Sequence, residues 1–166
     1  MFELHEAAAK ITSFTVFPEN HGATEKDTGN TIGCEVTVAG DVVDGFNPQL
    51  RKAIFRKLKA GEQQDMHRDN DGLVALLFPR VGALDWDEEF PGYEASIHAN
   101  SLFPEPIVLV DVTLKGLSFQ GLEGGSIVVR FQLKCHPEPN ETGHLSKLLK
   151  REAVLTLTPP TKQTTE

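Results

Sequence analysis

The chain has 166 residues, with sixteen basic and twenty-four acidic side chains and a formal net charge of -8. A chain of that length buries roughly 70% of its unfolded surface, so it needs neither metal nor disulfide to fold and reads as one domain over 1–160. The acidic balance repels polyphosphate at long range and favours a basic partner without excluding a local basic site, and no apolar run approaches the ~20 residues of a membrane span.

The amino terminus, Met1 to Lys10, carries acids where a signal peptide carries lysines, and it lacks an apolar h-region. The expected compartment is therefore the cytoplasm. Ile11 to Phe17 reads as a strand whose hairpin partner is Thr31 to Val38. There Ile32, Cys34, Val36 and Val38 alternate with Thr31, Gly33, Glu35 and Thr37, the period-two pattern of a sheet with one wet face. The polar stretch Glu19 to Asn30 reads as the connecting loop. Cys34 and Cys135 each sit in an alternating strand pattern and read as reduced core thiols, since disulfide-stapled domains carry more cysteines at closer spacing.

Asn47-Pro48 supplies a cap and a first-turn proline for a helix over Gln49 to Leu58. Arg51, Lys52, Arg56, Lys57 and Lys59 place five of the sixteen cations within nine residues. On a helix Arg51, Lys52, Arg56 and Lys59 cover a solvent arc while Ile54, Phe55 and Leu58 face inward. That is either a solvated helix face or a phosphate-tracking patch, whose affinity would come from counterion release and fade with salt. Lys147, Lys150 and Arg151 form a second basic cluster. His67 to Gly72 resembles the front half of a calcium loop. It fails because histidine holds the first ligand position and Phe78 the twelfth, where a bidentate glutamate is required.

Leu77 to Glu94 contains the single tryptophan and the single tyrosine of the chain, Trp86 and Tyr93, together with Phe90 and the acids Asp85, Asp87, Glu88 and Glu89. Two prolines and two glycines make it read as a presented loop, not a core strand. Rigid aromatic rings ringed by charge are typical of partner-binding surfaces. Asp85, Trp86, Asp87, Glu88, Glu89, Phe90 and Tyr93 are accordingly the candidate partner-binding residues. The alternative is a long loop pinned by a half-buried Trp86.

Pro106 to Phe119 and Ile127 to Cys135 read as a long antiparallel hairpin joined by Gln120 to Gly125. Val108, Val110, Val112 and Leu114 share one face but Leu117 and Phe119 continue out of step, which predicts a β-bulge at Gly116. Asp111 is expected to face outward. Gly121 to Gly125 joins two strands and so is a turn, not a phosphate loop. Glu141 to Lys150 reads as a second helix with Leu145, Leu148 and Leu149 on one face. Ala153 to Leu157 returns to strand, Pro159-Pro160 ends the fold, and 161–166 is expected to be a disordered tail.

The histidines, His5, His21, His67, His98, His136 and His144, show no helical pairing. A zinc site would have to assemble in space from His136, His144 and a carboxylate, so no metal or cofactor is expected. No Gly-x-Ser-x-Gly or Cys-x-x-Cys motif occurs, and no enzyme is expected. The element pattern predicts an α+β domain that is predominantly antiparallel β, with about seven strands in a sandwich or partly open barrel and two short helices. Strands as long as Ile127 to Cys135 also leave pairing across a homo-oligomer open.

Phe17-Pro-Glu-Asn-His-Gly22, Phe46-Asn-Pro-Gln-Leu-Arg51, Phe78-Pro79, Phe90-Pro-Gly-Tyr93, Leu145-Ser-Lys-Leu-Leu149 and Leu155-Thr-Leu-Thr-Pro-Pro160 together resemble a family of small proteins of temperate bacteriophages and prophages. Its members are often encoded near recombination or replication genes, and it carries no assigned catalytic residues. The resemblance spans most of the chain and implies the cytoplasm of a bacterial host. It leaves two function classes. One is a non-enzymatic binding protein, an inhibitor included, whose acidic aromatic loop engages a basic surface on a host or phage nucleic-acid enzyme or a defence complex. The other is a single-stranded-DNA accessory protein of recombination or replication, using Arg51, Lys52, Arg56, Lys57 and Lys59 with a stacking aromatic residue.

Overall fold

The structure, a computed structural model, describes residues 1–21, 25–59, 61, 72–99 and 102–161. In chain order the elements are β1 (Leu4–His21), β2 (Glu25–Ala39), α1 (Gly40–Asp44), α2 (Pro48–Ile54), β3 (Phe55–Lys57), β4 (Leu73–Leu76), β5 (Leu84–Trp86), β6 (Phe90–His98), β7 (Ile107–Gly121), β8 (Ser126–Cys135), α3 (Pro139–Ser146) and β9 (Glu152–Thr158).

The strongest alternation forms the barrel wall. In β8 the inward residues Ile127, Val129, Phe131, Leu133 and Cys135 are all buried, and β2 presents Ile32, Cys34, Val36 and Val38 to the same interior. Strands run in the order β7-β6-β9-β1-β2-β8, every pairing antiparallel, and β8 returns to β7 to close the ring. The expected antiparallel α+β class is met, and the choice between sandwich and partly open barrel resolves to a closed barrel. Closure follows from the length of β7, which carries β8 along one edge and β6 along the other.

Bulges let one long strand serve both edges. Gly116 adopts φ +63° where the β7–β8 register shifts, so Leu114 and Leu117 both point inward, as the phase change predicts. A second irregularity corrects the expected face of β7. Asp111 takes φ +53°, and Tyr93 pairs with Val112 while Ala95 pairs with Leu109. One extra residue is thereby inserted, so Val108 and Val110 face outward and Val112 and Leu114 inward. Asp111 is exposed as expected, though the bulge is what turns it out.

Other expectations are corrected as well. Glu19–His21 and Glu25–Asn30 belong to the β1–β2 ladder and not to a loop, so the hairpin projects beyond the register that β9 and β8 cover. The helix expected over Gln49 to Leu58 stops at Ile54 and becomes β3. Phe55 pairs with Leu76, and the Leu77 N–H donates to the Ile54 carbonyl at 2.8 Å, so non-local pairing overrides helical spacing. Of the presented loop, 84–86 and 90–94 are strand, in β5 and β6, while 77–83 and 87–89 keep turn or irregular backbone. The helix expected over Glu141 to Lys150 spans Pro139–Ser146, capped by a reciprocal Glu138–Glu141 box. Its Leu145 is buried, as is Leu148 just beyond it, but Leu149 is exposed. With α1, three short helices stand among the described residues where two were expected. His67 and residues 162–166 lie outside the described residues.

Each barrel end has its own lid. At one end α3 packs with Phe103. At the other, α1 and α2 carry Phe46, whose ring meets Phe2, Trp86, Phe90 and Phe119 at centroid distances of 6.4, 5.0, 5.9 and 5.4 Å.

Candidate partner-binding site

Three chain stretches meet at the α1–α2 end of the barrel around an apolar cleft of about 240 Å³. Ala53 and Ile54 of α2 form one wall. Leu76, Phe78, Val81 and Gly82 form another, and Leu84 of β5 with Phe119 and Gly121 of β7 form the floor. Phe78 is 62% exposed and Val81 55% exposed, so the cleft has an apolar rim open to solvent. The absence of a side chain at Gly121 permits this packing. A Cβ there would sit 2.8 Å from Leu76 Cδ2 and against Ile54 Cγ2.

Beside the cleft, β5 carries the acidic segment. Asp85, Asp87, Glu88 and Glu89 are all exposed. The aromatics of the same segment turn inward. Trp86 is half-buried, edge-on to Phe46, and its Nε1–H donates to Glu88 Oε2 at 3.2 Å. Phe90 is partly buried and also packs against Phe46. Tyr93 is 1% exposed, and its hydroxyl donates to the Phe2 carbonyl at 2.7 Å. Burial pushes that hydroxyl up to about 12. Tyr93 is thus a core residue and not a partner contact, because the bulge at Pro91-Gly92 returns the chain to the barrel wall before it. The acids of the predicted surface are available, while its aromatics anchor it from within.

The basic row separates. Arg51 is 2% exposed and its Nη1 donates to Asp44 Oδ2 at 2.7 Å. It lies over Gly40, where a Cβ would be 3.0 Å from Arg51 Cδ and from the Gly125 carbonyl oxygen. Arg51 therefore joins α1 to α2 instead of facing solvent. Arg56 is partly buried and donates to the Lys57 carbonyl at 3.2 Å, whereas Lys52, Lys57 and Lys59 are exposed. The expected solvent arc required one helix through Lys59, and the turn into β3 after Ile54 removes it.

Phe78 and Val81 carry the rim that sequence reasoning missed. Their signal was the apolar run ending at Phe78-Pro79, which is longer than β4 needs. Among the described residues no three His, Cys, Asp or Glu side chains gather as a metal site. The His98 and His144 rings both lie against Phe103, with centroids 6.3 and 5.7 Å from its own, and His136 is exposed. Cys34 and Cys135 are free and buried, and desolvation pushes each thiol up to about 12, which keeps them protonated and unreactive at neutral pH. Among the described residues no helix is long and apolar enough to cross a membrane. Comparisons with protein-family models, with curated proteins and with solved structures return no match to this chain.

Proposed function

We propose that this is a non-enzymatic, phage-encoded binding protein that engages a nucleic-acid-processing or defence protein through the cleft end of its barrel. The carrying observation is the exposed Phe78–Val81 rim of an apolar cleft beside four exposed acids, Asp85, Asp87, Glu88 and Glu89. A partner's apolar side chain in the cleft would contribute most of the affinity, because fully desolvated central contacts dominate interfaces. The acids would orient a basic surface and speed encounter. The phage origin and the class of partner rest on the resemblance of the turn motifs described above.

The test is recovery of partner from a bacterial lysate by four matched baits: wild type, Phe78→Ser, Asp87→Lys with Glu88→Lys, and Val110→Ser as a distant surface control. Loss with the two site variants and retention with the control supports the reading. Equal recovery from all four removes it.

Single-stranded DNA is the second reading. It draws on the exposed Phe78 ring as a stacking platform and on the exposed Lys52, Lys57 and Lys59. Anisotropy of a labelled oligonucleotide at two salt concentrations tests it, and binding that weakens steeply with salt would favour it over protein binding.

A further inference from the structure

The partner's mode of attachment can be read from the edge of β5. On β7, β8 occupies one edge over Thr113–Gly121, so β5 and β6 must share the other. Trp86 pairs with Leu117 and Phe90 with Leu114, which makes 84–98 nearly one strand interrupted at 87–89. Its two parts differ on their far side. β9 covers β6 and ends with Thr158 opposite Glu94. Pro159 and Pro160 follow, and proline has no N–H to extend a ladder. Pro160 instead packs toward Gly92, where a Cβ would lie 3.3 Å from its own Cβ. Among the described residues β5 therefore has a ladder partner on one side alone.

We propose that an extended segment of the partner protein adds to this open edge as a further strand, with apolar residues alternating with lysine or arginine. The inference rests on the protein-binding reading above. Side chains alternate along β5: Leu84 lines the cleft, Asp85 is exposed, and Trp86 turns in to Phe46. An added strand alternates in the same way and places its Cβ atoms about 5 Å from those of its neighbour. Its inward residues then continue the apolar floor at Leu84, and its outward residues face Asp85 and the acids at 87–89. Opposite charges across a strand pair stabilise it and like charges oppose it. That selects a basic segment and disfavours a second copy of this chain, which would set Asp85, Asp87, Glu88 and Glu89 against the same acids.

The probe is a short fluorescent peptide of alternating leucine and lysine, compared with the same peptide N-methylated at every second backbone amide, with amide hydrogen exchange read over Leu84 to Glu89. The expected result is binding by the unmodified peptide, protection of those amides, and an affinity about tenfold lower on N-methylation, as the loss of one or two ladder hydrogen bonds implies. Asp85→Lys should weaken the peptide without changing the melting temperature. Equal binding by the two peptides, or binding that leaves 84–89 unprotected, overturns strand addition but leaves the acidic cleft end standing as a binding surface. No binding at low salt also overturns it. If Phe78→Ser leaves lysate capture unchanged as well, the protein-binding reading falls with it.

Discussion

The Phe46 ring meets the Trp86 indole edge-to-face with centroids 5.0 Å apart, and the contact ties the helical lid of the barrel to the strand that carries the acidic surface. Phe46 also touches Phe2, Phe90 and Phe119, so one side chain joins the amino terminus, α1–α2, β5, β6 and β7. The surface at 85–89 is therefore held on a packed base and presented with little ordering cost on binding.

Phe46→Ala should cost about 3 kcal/mol, the lower end of the range for a truncated core phenylalanine, since Phe46 is partly exposed. Trp86→Ala should cost about 2 kcal/mol, from partial burial and one edge-to-face contact. Urea midpoints measure both. A negligible loss for Trp86→Ala would show that its ring is free for a partner.

Adjacent cations should behave oppositely. Arg51→Ala removes a buried group paired with Asp44 and should cost about 3 kcal/mol, while Lys52→Ala on the exposed face should stay within about 0.5 kcal/mol. Thermal melts of the two variants separate a structural Arg51 from a surface one.

Gly121→Val should close the cleft floor against Ile54 and Leu76, lower stability by about 1–3 kcal/mol through overpacking, and reduce partner capture together with Phe78→Ser. A variant as stable and as active as wild type would mean that the ribbon β3–β4 moves freely over the barrel rim.

Stability should fall in alkali. Cys34 and Cys135 are pushed from 9.0 to about 12, and Tyr93 from 10.0 to about 12, chiefly by burial. The folded state then holds protons that the unfolded state has lost, so the contribution is complete below about 9 and drains as pH rises toward about 12. Denaturant midpoints across that window should fall, and Cys34→Ala with Cys135→Ala should shallow the first part of the decline. A flat profile would mean the thiols reach water in the native state.

Much of the barrel was legible because β2 and β8 keep one wet face, and strict alternation survives when only one side is buried. Gly116 announced its bulge through the phase change around it. By contrast, Asp111 hid a second bulge, since Val108 to Leu114 reads as a single face without it. Pro91, Gly92 and the acids gave 85–93 the composition of a loop, while its strand character comes from β7, distant in sequence. Arg51 to Lys59 has helical spacing, yet β4 draws Phe55–Lys57 into a ribbon. The acids of the candidate site were readable as local chemistry. The cleft was not, because it exists only where three separate segments meet.

The most direct measurement is a hydrogen-exchange footprint of the protein with and without the partner that it captures. Protection should concentrate at Phe78 to Glu89 and at Ala53–Ile54, with Val108, Val110 and Val154 on the outer wall unchanged. Protection of the outer wall with none at Phe78 to Glu89 would contradict binding through the cleft end.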